Sequence, residues 1–530
     1  MVKKSLLWVY RTTFWLIGIV IVIFLVAALA IQFFVFPNIN QYKDKIAAYA
    51  SAAANQKVVI GNIKAGWQGI NPHISLGNID IYDAQNRPAL QLKNTDVSFS
   101  WLSIPLLEPH LANFTIRSPE LTIRRNSNGD IFVAGMSMQG QSKPDLPNWL
   151  LRQSQFEVLN AKVVWIDEMR SAPALSLDKL NLQVVSPPWK SFIKNHRVTI
   201  SAISSAGTNE PILLNANLYG NDISQLGQWH GSVEAQLKNA NVVAFKPWVD
   251  YLALTQPIDL QAGTGSTDTT IQFAKNQVQS VTSNVALDHV QLLLKANTEP
   301  LILNKLVGEL IWKNTTSDQS FNVSHLTLNT SNGPTLQDAA GGYSKTKHGD
   351  EKLKLSLAHI DLAFIKPYLV QLPLPPEVLQ KIKALSPTGK FDDLLLNWEG
   401  KLSITTKYQF NAKFNNLGIL AYEKIPGFSN LTGDIKANQN TGRITLHTQN
   451  AKLDFKDILR WPIPADKLDG DILWDTNGTV TKIQASQLSI SNQHLAGILN
   501  AEYLIDGNKG GYLDLTGKFG KGNAKYATFY

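Results

Sequence analysis

The chain has 530 residues, ample for a large buried core, yet only 17% are charged, the formal net charge is +8 and there is no cysteine. Without cysteine, disulfides, thiolate metal sites and cysteine nucleophiles are excluded. The basic balance, with a pI near 9.2, is spread thinly, and no Lys/Arg run exceeds Lys3-Lys4 or Arg124-Arg125, so nucleic acid has no basic patch to bind. Anionic lipid headgroups or an ordinary solvated surface suit that charge better.

Phe14 to Phe36, FWLIGIVIVIFLVAALAIQFFVF, holds no charge and one clearly polar side chain, Gln32. At ~1.5 Å per residue it is about 34 Å long, enough to cross a hydrocarbon core of ~30 Å. It reads as a spanning anchor, with Phe14, Trp15, Phe24, Phe33, Phe34 and Phe36 as its aromatic residues. Lys3, Lys4 and Arg11 precede it, which places a short N-terminus in the cytoplasm and the bulk of the chain outside. Ala28-Leu29-Ala30 has the small-x-small form of a signal-peptidase site. The apolar run continues beyond it with no polar start, and this favours an uncleaved anchor.

Gln41 to Asn55 is rich in Ala and predicts a short juxtamembrane helix. From Lys57 the pattern changes to alternating apolar and polar residues broken by Gly and Pro, as in VVIGNIKAGWQGINPHISLGNIDIYD. That is strand and turn chemistry, and it persists to the end with turn signals at Asn128-Gly129-Asp130, Asn332-Gly333-Pro334 and Asn477-Gly478. The expected fold is mainly β: an N-terminal transmembrane helix, then an elongated, repeat-built antiparallel β-groove with a few short helices. Its parts are a cytoplasmic segment 1–12, an anchor 13–37, a juxtamembrane helix or linker 38–56, a first β region 57–235 and further β repeats at 236–355 and 356–530.

Two self-similarities support a modular array. Lys246-Pro247-Trp248 and Lys366-Pro367-Tyr368 stand in matching contexts within the two clearest helical patches, Phe245 to Leu254 and Ile365 to Leu385. Leu306-Val307-Gly308-Glu309-Leu310, Leu431-Thr432-Gly433-Asp434-Ile435 and Leu468-Asp469-Gly470-Asp471-Ile472 repeat a second motif; the alternative is chance, since Gly-Asp turns between strands are common. The C-terminal KGNAKYATFY arrives where the array would next supply a short helix. The last repeat is therefore expected to be incomplete, with an edge that pairs with more chain or with a partner.

The alternation carries the chemistry. In YQFNAKFNN, Tyr408, Phe410, Ala412 and Phe414 fall on one face of a strand, and Gln409, Asn411 and Lys413 on the other. Leu180, Leu182 and Val184; Leu214, Ala216 and Leu218; Val290, Leu292 and Leu294; and Ile444 and Leu446 behave alike. An apolar face must meet a second sheet, a helix or an apolar ligand. Helices are too few here, so a filled sandwich and an open groove for acyl chains both remain.

Enzymatic readings lack their parts. The histidines are dispersed, with no His-Glu-x-x-His, so neither a metal nor a cofactor is called for. Gly135-Met136-Ser137-Met138 begins like a nucleophile elbow but continues into Gln139. Gly263-Thr264-Gly265-Ser266-Thr267 lacks the P-loop lysine and reads as a flexible turn. Asp392-Asp393 would point to opposite faces of an extended strand, a poor geometry for acid–base work.

With these residues in hand, the chain resembles the AsmA-like envelope proteins of Gram-negative bacteria, closest to the YhdP branch, and corresponds to an N-terminal part. The resemblance rests on the anchor; on Trp67, Gly69, Pro72 and Leu76; on Pro119, Leu121 and Gly129; and on Phe245 to Trp248 and Ile425 to Asp471. It implies an inner-membrane-anchored, mainly periplasmic bridge of about 35 strands at ~4.8 Å spacing. Such a bridge would hold phospholipid acyl chains and engage the outer membrane or a partner near its C-terminal edge. No catalytic residue carries over. A non-transporting envelope scaffold and a membrane-anchored hydrolase stay open as alternatives.

Overall fold

The structure is a computed structural model describing residues 2–54, 56–82, 86, 88–106, 108–134, 136–137, 145–187, 194–249, 259–294, 299–315, 317–330, 335–371, 376–401, 404–423, 425–456, 460–506 and 509–526. Helix α1 (Val2–Ala30) carries the apolar run. Pro37 lacks an N–H and its ring crowds the carbonyl of the preceding turn in α geometry, and the helix responds by widening. It becomes a π-helix over Ile31–Val35 and a 3₁₀ helix over Phe36–Tyr42 before α2 (Lys43–Ala54).

The chain forms two compact units, one mainly of residues 1–240 and the other mainly of 278–530. In the first lie β1 (Val58–Gln68), β2 (Asn71–Tyr82), β3 (Pro88–Phe99), β4 (Leu111–Arg117), β5 (Glu120–Arg125) and β6 (Ile131–Val133). They are followed by β7 (Met136–Ser137), β8 (Gln155–Asp167), β9 (Ala172–Val185), β10 (Asn195–Ser204), β11 (Pro211–Tyr219) and β12 (His230–Asn241). The second unit takes up most of β13 (Asp259–Ala274) and β14 (Gln277–Leu293), then β15 (Leu301–Asn314), β16 (Asp318–Thr330), β17 (Leu336–Thr346), β18 (Glu351–Asp361) and β19 (Thr388–Lys401). It continues with β20 (Ile404–Ile419), β21 (Gly427–Asn438), β22 (Thr441–Asp454), β23 (Ile463–Asn477), β24 (Val480–Ser491), β25 (Leu495–Asp506) and β26 (Lys509–Gly522).

These 26 strands among the described residues are fewer than the roughly 35 expected at a strand spacing of ~4.8 Å. The reason is their length, up to 17 residues in β14. Within the second unit, strands β14 to β26 pair antiparallel in chain order. The first unit departs from the all-antiparallel expectation at one place: β4 and β5 both run parallel to β8. They are two halves of one bent strand, broken at Ser118 (φ 50°) and Pro119, whose flanking pairs are Arg117 with Leu159 and Glu120 with Lys162. Parallel pairing needs a crossover, here made by β6, β7 and the helix Asp145–Arg152.

Both Lys-Pro-aromatic sites follow the end of a strand and lie in helical turns. Val242–Phe245 and Lys246–Val249 come after β12, and Leu362–Ile365 and Lys366–Gln371 after β18. Residues 250–254 of the first patch and 372–375 of the second lie outside the described residues, as does the expected turn at 332–334. A 3₁₀ turn, Ala524–Tyr526, follows β26.

Candidate apolar groove

A change of phase in the strands builds the site. In β20 the inward side chains run Phe410, Ala412, Phe414 and then Leu417; the step of three spans a register shift at Asn416, which has φ 51°. An extra residue in positive φ is a β-bulge, which bends the strand and keeps the apolar side facing inward. The same step separates Thr448 from Ala451 at Asn450, Val323 from Leu326 at His325, and Ala485 from Leu488 at Gln487. Each strand is thus two alternating runs hinged at a bulge.

The three Gly motifs lie in strand interiors rather than in turns between strands. Gly308 and Gly470 stand at register shifts. A Cβ on Gly433 would collide with the Thr445 carbonyl, so no other residue fits there. Gly263 to Thr267 is likewise strand, not turn, and a Cβ at Gly265 would strike the Ala286 carbonyl. At Asp392-Asp393 the bulge (φ 50° at Asp393) turns both carboxylates to the polar side, contrary to the opposite-face expectation. Asp392 pairs with His359 (2.5 Å) and Asn415 (2.6 Å), and Asp393 with Lys413 (2.7 Å). Met136 and Ser137 form β7, while Gly135 and Met138 lie outside the described residues.

Cross-strand register joins the apolar residues into rows. In the second unit one row runs Trp312, Phe321, Tyr343, Leu353, Trp398 and Tyr408, strand to adjacent strand. The next runs Leu310, Val323, Gly341, Leu355, Leu396, Phe410 and Ala437. Nearer the bulges, Ala412, Ile435, Ile444, Ile472 and Ala485 align. At the bulges lie Phe391, Phe414, Gly433 and Leu446. Burial rises along this series: Tyr408, Phe410 and Ile444 are half-buried, whereas Phe414 is 3% and Leu446 2% exposed. The bulge line is a packed floor, and the rows farther from it are partly open walls ending in an aromatic rim.

The sequence-derived residues divide the same way. Val290 is 0% exposed and clustered with Leu303 and Leu306, a cluster against which Val242 and Tyr368 also pack, so it belongs to packed core. Leu292 and Leu294 are half-buried against the same cluster. In the first unit, register aligns Val158, Leu182, Ile200, Leu214 and Ala235, and beside them Phe156, Val184, Val198, Ala216 and Val233. Leu180 stands opposite Ala161, beyond the bulge, and Leu218 opposite His196 and Gly231. Leu180, Leu182, Val184, Leu214 and Leu218 are all half-buried. Over β1 to β3 the apolar face is not open: Ile39 of the 3₁₀ helix and Ile46, Ala47 and Ala50 of α2 pack on it.

The other face carries cross-strand polar pairs, with exposed Leu395 and Leu473 among them. Arg443 meets Asp471 at 2.6 Å, Lys482 meets Glu502 at 3.0 Å and Arg117 meets Asp96 at 2.9 Å. Exposed pairs of this kind contribute little stability; they mark the solvent side. The Arg443 guanidinium, then the Thr445 hydroxyl, hold the Asp471 carboxyl below its usual range. At Glu157 burial pushes the carboxyl up, but hydrogen bonds from Gln183, Gln155, Thr115 and Asn113 together bring it below the ordinary value.

In the anchor, Phe14, Trp15, Phe33 and Phe34 are exposed, whereas Phe24 and Phe36 are half-covered. The helix passes through Ala30 into the π turn without a break. Among the described residues, one helix is long and apolar enough to cross a membrane, and it lies near the N-terminus.

A family model described as YhdP protein matches residues 1–530. The chain belongs to the YhdP family. Membership sets the hydrolase reading aside. Among curated proteins, "Intermembrane phospholipid transporter YhdP" of Escherichia coli (strain K12) is 19% identical over 484 residues, which is 89% of this chain and 36% of the relative. The chain therefore spans about a third of the length of that relative. No solved structure matches.

Proposed function

We propose that this YhdP-family chain is an inner-membrane-anchored, periplasmic part of a bridge-like lipid carrier. In this reading α1 crosses the inner membrane with its basic flank in the cytoplasm, and phospholipid acyl chains lie along the half-open rows on their way between inner and outer membranes. The observation that carries the proposal is the graded face of the second unit. Apolar rows stay in register over several strands, with a packed floor at Phe414 and Leu446 and half-buried walls at Phe410 and Ile444. A sheet filled by its own side chains would bury all of these rows alike, while a groove leaves its upper walls for an apolar ligand. The printed name of the E. coli relative supports phospholipid as that ligand.

Native mass spectrometry of the detergent-extracted chain tests the proposal. Bound phospholipid is expected; a chain that carries only detergent contradicts the carrier and favours a non-transporting scaffold. Fusion of a periplasm-dependent reporter after Ser100 tests orientation. Activity is expected, and an inactive reporter there with an active cytoplasmic one reverses the topology.

A further inference from the structure

Two tryptophans outside the graded rows of the second unit sit against the N-terminal helix, Trp101 on α1 and Trp67 on the π and 3₁₀ turns that continue it. Trp67, at the end of β1, donates its indole Nε1–H to Gln32 Oε1 at 2.7 Å, which gives the one polar side chain of the apolar run a partner. Its ring meets Phe36 edge-on at 5.2 Å and stacks on Trp101 at 6.4 Å. Trp101, just past β3, lies 4.4 Å from Phe24 and donates Nε1–H to the Ile70 carbonyl at 2.9 Å. Both indole N–H groups are thus satisfied within the protein, as an apolar medium requires. The half-covered helix positions Phe24, Ala27, Ala28 and Ile31 follow the i, i+3, i+4, i+7 spacing of one face.

Phe24 lies seven residues before Ile31, or about 10 Å of α-helix deeper into the apolar run. Trp101 therefore reaches the same depth. Around it Ile70 is 70%, Leu102 40% and Ile104 51% exposed, and the stretches 65–72 and 99–106 contain no charged residue. The nearest charged side chains are Lys64 on β1 and Glu108, two residues past Leu106, both exposed; where the sheet continues, His73 lies beside Asp96 and Asp96 pairs with Arg117.

We infer that the β1–β2 turn around Ile70 and the segment from Trp101 to Leu106 form a wedge inserted into the bilayer leaflet beside α1. The partner is the acyl region of the membrane that the helix crosses. Continuity with that helix, satisfied indoles and uncharged exposed apolar side chains select hydrocarbon over a protein partner.

The test uses the absence of cysteine in the chain. Single substitutions Ile70→Cys, Leu102→Cys and, as a control, Asn128→Cys in the exposed Asn126–Asp130 turn are labelled with an environment-sensitive fluorophore. The full chain is placed in phosphatidylethanolamine–phosphatidylglycerol vesicles. Because all three side chains are exposed, labelling leaves the packing intact. Labels at 70 and 102 are expected to be quenched several-fold more by acyl-chain nitroxides, and less by iodide, than the label at 128. Iodide quenching at 70 and 102 equal to that at 128, without nitroxide quenching, overturns the inference. Lipid content is read separately, by native mass spectrometry of the same detergent-extracted proteins before they enter vesicles: inserted labels without co-purified lipid uphold the wedge and sink the carrier, and lipid with water-exposed labels does the reverse.

Discussion

Phe414 and Phe410 share a strand and a face, four residues apart, yet the groove account assigns them different energies. Phe414 is 3% exposed and packs with Leu431, Leu446, Ala465 and Leu468. Its ring is close enough to Gly433 that a Cβ there would lie 3.1 Å from Phe414 Cζ. Phe414→Ala should leave a cavity and cost about 3–5 kcal/mol. Phe410 is half-buried at the margin of the cluster that includes Leu394 and Ala412, and its ring meets Phe391 edge-on at 6.0 Å. Removing it exposes and empties roughly half as much, so Phe410→Ala should cost on the order of 1–2 kcal/mol. Urea unfolding of the full chain in detergent, followed by tryptophan fluorescence of the transition that includes Trp398 and Trp474, reads both. If Phe410→Ala proves as costly as Phe414→Ala, the wall is a filled core and the reasoning fails.

Gly433→Ala should destabilise by about 3 kcal/mol or more through the clash with the Thr445 carbonyl, against the gain of ~0.5–1 kcal/mol that Ala normally brings to a strand interior; an upward shift in the urea midpoint would contradict this. Arg125 pairs with Asp167, whose side chain is 0% exposed, at 2.6 Å, so Arg125→Ala, which takes the guanidinium from a buried carboxylate that keeps the Arg170 N–H at 3.3 Å, should cost about 3 kcal/mol, and a thermal midpoint equal to wild type would refute it. His196 sits between Ser186 Oγ (2.7 Å) and the Gly220 carbonyl (2.8 Å); burial chiefly, opposed by the Gly220 acceptor, depresses its pKa below 6.5. The unfolded chain then binds more protons than the folded one below the ordinary value, so stability should fall as pH drops from about 7 to 5, and the fall should flatten in His196→Gln if the histidine causes it.

Much of this fold is legible in residue order. Phe14 to Phe36 has the length and apolarity of a span, and Tyr408, Phe410, Ala412 and Phe414 show their shared face by alternation alone. The bulges were hidden because Asn416, Asn450 and Gly433 are residue types that also make turns, and only strand pairing separates a bulge from a turn. A signal was present all the same: two period-two apolar runs offset by three, as in Ile60 to Ile63 of β1, Leu76 to Ile79 of β2 and Leu357 to Ile360 of β18. The parallel placement of β4 and β5 beside β8 was not legible, since it depends on a crossover whose partner lies about 40 residues along the chain. Residue types could not rank Val290 against Leu292 either, because both are apolar and only the packing of distant strands puts Val290 inside the cluster with Leu303 and Leu306 and Leu292 at its margin.

The central claim is that one face of this sheet holds acyl chains, and a photo-crosslinking residue on each face tests it most directly. Placed at Phe410, on the half-buried apolar row, it should capture phospholipid in cells; placed at Asn411, exposed on the polar face of the same strand, it should capture none. Equal labelling at both positions, or none at either, would contradict the one-sided groove.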